Sequence, residues 1–112
     1  QVQGLTTTYA GHLNVDICRA TLDGILTVDD EAIYAAQRQL VNDDARCSWA
    51  AEVVEPAGAA AYAAALSADF CDMVSAARTR RGLSTEPQGE MRVAVTISGG
   101  NPDPAQLEAQ RA

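Results

Sequence analysis

The stretch Ala57-Gly58-Ala59-Ala60-Ala61-Tyr62-Ala63-Ala64-Ala65-Leu66 constrains this chain more than any other segment. Alanine has the highest intrinsic helix propensity, so the run predicts a helix despite its glycine. Side chains this small let a neighbouring backbone come very close, which marks a buried helix rather than low-complexity disorder. The smallness also has a cost, because alanine buries little area and apolar burial is worth only roughly 25 cal/mol per Å². The hydrophobic fraction is 47%, but only 4% of the chain is aromatic, so the apolar gain per ordered residue is modest. Such a sequence suits helices packed closely on a sheet, and it predicts a need for more partner surface than the chain carries.

The remaining elements follow from spacing and punctuation. Residues 1–12 are rich in Thr and Gly and read as an extended loop. Asn14 can cap a short helix with Ile17, Cys18 and Leu22 on its apolar face, stopped at Gly24. Residues 25–28, Ile-Leu-Thr-Val, read as a short strand. Asp29 and Asp30 then place negative charge at a helix start, where the dipole favours it, and Ile33, Ala36 and Leu40 keep helical spacing. Asn42-Asp43-Asp44 breaks that helix, and Val53-Val54 forms a short apolar stretch ending at Glu55-Pro56. Pro56 suits a first helical turn, where its missing N–H had no partner. After the alanine run come a second helix over 68–78, a polar loop over 82–89, and Arg92-Val93-Ala94-Val95-Thr96-Ile97. That segment is the best strand in the sequence, nearly continuous apolar like strands buried on both faces of a parallel sheet. Asp103 can cap a last helix over 104–112. Helices alternating with strands predict an α/β layer structure, and the 112 residues make one domain or part of one.

Charge and cysteine content exclude several function classes. A net charge of −7 disfavours nucleic acid, whose phosphates require clustered Lys and Arg. The only basic cluster, Arg78, Arg80 and Arg81, reads as solvated surface. Cys18, Cys47 and Cys71 are odd in number and widely spaced, without a CxxC pair. They read as small buried or half-buried residues in a reducing, cytoplasmic setting. No segment approaches 18 consecutive apolar residues and no leader pattern is visible, so a membrane is not an expected partner. The sequence begins at Gln1 rather than Met, inside what reads as ordered structure, which suggests a truncated reading frame. His12 is the only histidine, so no His-based metal site or triad can be assembled, and it reads as a solvated loop residue. Trp49 and Tyr62 read as packing residues.

Two places can carry chemistry. Ser98-Gly99-Gly100-Asn101 follows the best strand, and in open parallel sheets ligands bind at the carboxyl ends of strands. Its glycines let backbone approach a ligand, and its serine offers a neutral hydrogen bond. Alone, the motif is only a turn. Glu55 precedes a helix, where it serves either as an acidic residue favoured by the dipole or as a carboxylate aimed into a site.

Together, Val53-Val54-Glu55-Pro56-Ala57-Gly58-Ala59-Ala60 and, some forty residues on, Val93-Ala94-Val95-Thr96-Ile97-Ser98-Gly99-Gly100-Asn101 resemble the end of the serine/threonine dehydratase family. These are fold type II pyridoxal-phosphate enzymes, the group that includes tryptophan synthase β. Gly4-Leu5-Thr6-Thr7, Asn14-Val15-Asp16-Ile17-Cys18-Arg19 and Leu26-Thr27-Val28-Asp29-Asp30-Glu31-Ala32-Ile33 follow the family's order and spacing, so the likeness covers nearly the whole chain.

The resemblance implies a fold, a cofactor and a reaction. The fold would be the C-terminal part of the large domain, a partial three-layer α/β sandwich on a parallel sheet. Ser98 matches the serine that hydrogen-bonds the pyridine nitrogen of pyridoxal phosphate. A neutral hydroxyl there makes the ring a milder electron sink than a carboxylate would, which suits β-elimination from a hydroxy amino acid. Gly99, Gly100 and Asn101 match the turn that holds that serine. Glu55 matches a glutamate near the cofactor ring, Gly4 a glycine near the cofactor, and Thr7 falls near a substrate-side polar position. The implied parent is an ammonia-lyase that converts serine or threonine to a 2-oxo acid, as a homo-oligomer. Relatives that racemise serine or act on hydroxyaspartate or diaminopropionate remain open.

Departures limit what this chain does alone. Family members usually carry Asp before the glycine matched by Gly4, and here Gln3 stands there. The chain contains no lysine for the Schiff base, no Ser/Asn loop for the substrate carboxylate and no glycine-rich phosphate loop. The expectation is an inactive fragment whose first two-thirds lie upstream, marginally stable or self-associating by itself. The alternative is a non-catalytic binding module or partner subunit.

Overall fold

The computed structural model describes residues 2–42, 54–83 and 91–111. Among these residues the regular structure is helical: α1 (His12–Thr21), α2 (Asp30–Asn42), α3 (Ala60–Ala65), α4 (Ala68–Arg80) and α5 (Pro104–Arg111), with 3-10 turns at Gln3–Leu5 and Ala57–Ala59. No strand or sheet is present among the described residues, which overturns the expected α/β sandwich on a parallel sheet. The physical reason lies in what strand propensity measures. Val, Ile and Thr favour a pleated surface packed against neighbouring strands, not an extended backbone without partners. Residues 25–28 and 91–97 follow non-helical paths and form no ladder with each other, and two short strands would be marginal even if paired.

The helices form for local reasons that the sequence displays. Asp29 caps α2: its Oδ1 accepts the Ala32 N–H at 2.7 Å, while Asp30 and Glu31 sit in the first turn. Ser67 caps α4 by accepting the Phe70 N–H at 3.2 Å. Past Arg80, Gly82 adopts a φ of 67°, and Leu83 N–H reaches back to the Arg78 carbonyl at 2.9 Å, closing the helix end. Asp103 Oδ1 accepts the Ala105 N–H at 2.9 Å and opens α5. α1 starts two residues before the expected cap Asn14, with Gly11 as its N-cap and no side-chain bond there. The alanine run is divided: Ala57–Ala59 is a 3-10 turn and only Ala60–Ala65 is α-helical.

The core is small. Ile33, Ala36 and Leu40 of α2 meet Val2, Val54, Ala59 and Ala63, with Tyr62 and Ile97 packed at the margin. Gln37 lies within this layer at 1% exposure and donates through Nε2 to the Val54 carbonyl at 2.8 Å. Its Oε1 is buried and finds no partner among the described residues. α1 contributes no buried residue, and Tyr9, Leu13, Ile17 and Ile25 are largely exposed. The Cα radius of gyration is 16.0 Å, above the ~13 Å of a compact chain near this length, so the molecule is flat and open.

Several smaller expectations are corrected. Cys18 and Cys71 are exposed rather than buried. His12 is exposed as expected but begins α1 instead of lying in a loop. Arg80 and Arg81 are exposed as expected, and both reach Asp23: Arg81 Nη2 lies 2.6 Å from Asp23 Oδ2, and Arg80 Nη2 donates to the Asp23 carbonyl at 2.9 Å. Exposed pairs of this kind contribute about 0–1 kcal/mol. The expected helix break at Asp43 and Asp44, Cys47, Trp49, Val53 and most of the loop over 82–89 lie outside the described residues. Among the described residues, no helix is long and apolar enough to cross a membrane.

Candidate functional site

The expected turn at Ser98–Asn101 is not formed, since the segment has neither a bend nor a closing hydrogen bond, but this irregular segment meets Glu55 across 46 residues of sequence. The Asn101 backbone N–H donates to Glu55 Oε1 at 2.9 Å. Gly99 adopts a φ of 79°, a left-handed conformation that L side chains rarely take. A methyl group on it would lie 3.2 Å from Glu55 Oε2 and 3.1 Å from Cδ, so the carboxylate flanks the segment along its length.

A second contact fixes the start of the segment. The backbone of Gly58 lies directly against the Ser98 carbonyl, and any side chain at Gly58 would overlap that oxygen. Gly58 is buried, and it is placed by the 3-10 turn that follows Pro56, in which Ala59 N–H donates to the Pro56 carbonyl at 3.0 Å. Ile97, just before the segment, packs against the core cluster together with Ala57 and Ala60. The segment is therefore seated on buried Gly58 and braced by half-buried Glu55, while Ser98, Gly99, Gly100 and Asn101 are exposed.

The structure thus brings together four of the residues singled out in the sequence: Glu55, Ser98, Gly99 and Asn101. Gly100 is adjacent in the segment, and a methyl group there would meet open space. Gly4 joins the same neighbourhood indirectly: a methyl on it would come within 2.6 Å of Ala57 Cβ, in the turn that carries Gly58. Thr7 is exposed and makes no hydrogen bond to Glu55 or to the segment. Sequence reasoning missed Gly58 as a positioning residue. Its signal was present, because a glycine inside a strong helix-forming run is unfavourable unless packing requires it. It also missed Gln37, whose bond to the Val54 carbonyl anchors the residue before Glu55.

Two cavities lie away from this segment. One of about 410 Å³ is apolar and runs along α1, lined by Val15, Cys18, Leu22 and Ile25. One of about 300 Å³ lies between Val93–Thr96 and the helices α3 and α4, with Phe70 and Met73 in its wall. Among the described residues no group of three or more His, Cys, Asp or Glu side chains could hold a metal ion. No protein-family model, curated protein or solved structure matches the chain.

Proposed function

We propose that this chain forms the ring-nitrogen side of a pyridoxal-phosphate site in a larger ammonia-lyase acting on serine- or threonine-type hydroxy amino acids. The observation that carries the reading is the braced Ser98–Asn101 segment, in which an exposed serine stands on a backbone held by Glu55 and Gly58. The fit to the cofactor is one-sided. Ser98 suits a pyridine nitrogen, and Gly100 leaves room for a ring to approach the backbone, but no lysine exists to hold the carbonyl end.

Pyridoxal phosphate, when bound, supplies an electron sink for breaking bonds at the substrate's α-carbon. The residues of this chain bind and orient. The Ser98 hydroxyl donates a hydrogen bond to the ring nitrogen and places no negative charge beside it, so the nitrogen is not driven to hold a proton. The segment's open side at Gly100 admits the ring without a side chain in the way. These 112 residues contain no lysine, so on this reading the Schiff-base lysine, the phosphate loop and the substrate-carboxylate loop are supplied by other parts of the enzyme. A racemase acting on the same amino acids would use this side of the ring in the same manner.

The first test adds pyridoxal phosphate to the purified chain, follows absorbance, then reduces with borohydride and determines the mass. The expected result is no reduced adduct on any side chain. A tight stoichiometric complex without such an adduct favours the alternative, a non-catalytic binding module. The lyase reading is then tested on the protein joined to its upstream coding sequence, by following 2-oxo acid and ammonia release from serine and threonine. No turnover, with wild-type Ser98 and with Ser98→Ala alike, would sink it.

A further inference from the structure

We infer that Glu55 is a positioning residue for Ser98, acting through the backbone of the Ser98–Asn101 segment rather than by touching the ring. The role deepens the cofactor reading above and rests on it. Glu55 Oε1 is already engaged by the Asn101 N–H at 2.9 Å, and Oε2 lies along Gly99, so both oxygens face the segment. The start of the same segment is met by Gly58, whose backbone abuts the Ser98 carbonyl. The segment is therefore contacted at Ser98 by Gly58 and at Gly99 and Asn101 by Glu55, two residues that sit three positions apart. Removing the carboxylate leaves the carbonyl contact but frees the Asn101 end, so Gly99 and Gly100 can rotate and carry the hydroxyl off its line.

A charge-assisted bond to a backbone N–H is stronger than a neutral one, which sets an order for the variants. Glu55→Ala removes the acceptor, whereas Glu55→Gln keeps a neutral acceptor in nearly the same place. In isotope-labelled chain, the Asn101 amide should show a scalar coupling across the hydrogen bond to the Glu55 side-chain carboxyl carbon. Asn101 amide exchange should rise at least about tenfold in Glu55→Ala and by less in Glu55→Gln. Unchanged Asn101 exchange in Glu55→Ala would overturn the inference, and so would absence of the coupling in the wild-type chain.

Binding separates this role from direct ring contact. Pyridoxine 5′-phosphate carries the ring nitrogen and the phosphate but forms no Schiff base, so it can probe the Ser98–Asn101 segment in the protein joined to its upstream coding sequence. Glu55→Ala and Ser98→Ala should each weaken its binding, and the double variant should be no weaker than Ser98→Ala alone. Additive losses would mean that Glu55 contacts the ring itself, and the positioning role falls. If the protein joined to its upstream coding sequence does not bind the probe while Asn101 exchange still depends on Glu55, the brace stands and the cofactor reading fails.

Discussion

The backbone of Gly58 and the carbonyl of Ser98 are in direct contact, with no space between them for a β-carbon. A glycine in the alanine run and a serine forty residues later thus define one another's position, and neither position can be understood from its own neighbours.

Alanine substitutions at three glycines should separate the consequences. Gly58→Ala must push the Ser98 carbonyl away, and overpacking of this kind costs about 1–3 kcal/mol. Gly99→Ala forces a side chain into a left-handed conformation, costing about 1–2 kcal/mol. Gly100→Ala meets open space and should leave stability unchanged within about 0.5 kcal/mol. Urea unfolding followed by circular dichroism measures all three, and equal losses would contradict the described contacts.

Gln37→Ala should destabilise the chain by about 1–3 kcal/mol, because it strips the buried Val54 carbonyl of its donor. Gln37→Glu offers no donor from its carboxylate and should be worse than alanine. The unfolding midpoint measures this directly, and a neutral Gln37→Ala would show that the bond contributes nothing.

The exposed apolar side chains make a prediction about association. Leu13 and Ile17 lie one turn apart on α1 and are 85% and 62% exposed. Replacing both by Gln should leave the unfolding midpoint nearly unchanged, since neither contributes to the core, and should reduce self-association at high concentration. Analytical ultracentrifugation gives the answer. A large loss of stability in the double variant would mean that α1 is packed after all.

Local signals carried as far as local physics allows. The spacing of Ile33, Ala36 and Leu40 and the carboxylates at its start placed α2 nearly to the residue, because caps and amphipathic periodicity act within a few positions. The segment over 68–78 was likewise recognised, with α4 running two residues further to Arg80. The two expected strands failed because a strand is a relation between segments. Val93, Val95 and Ile97 alternate and branch as strand residues do, yet without a neighbouring ladder the backbone follows no regular path. The meeting of Glu55 with Asn101 was not derivable from spacing either. The family likeness implied that both lie near one cofactor but no contact between them, and Gly58, the residue that seats the segment, was passed over as an ordinary member of a helix.

α1 has helical hydrogen bonds but nothing buried beneath them, so its opening should cost little beyond a ten-residue helix–coil transition. Its amides should exchange with solvent through local fraying, while those of α2 wait for the whole core to open. Arg19 lies exposed near its end, within reach of trypsin in that frayed state. The chain thus has two thermodynamic lifetimes, a short one for the helix that carries Cys18 and a long one for the layer that seats Glu55.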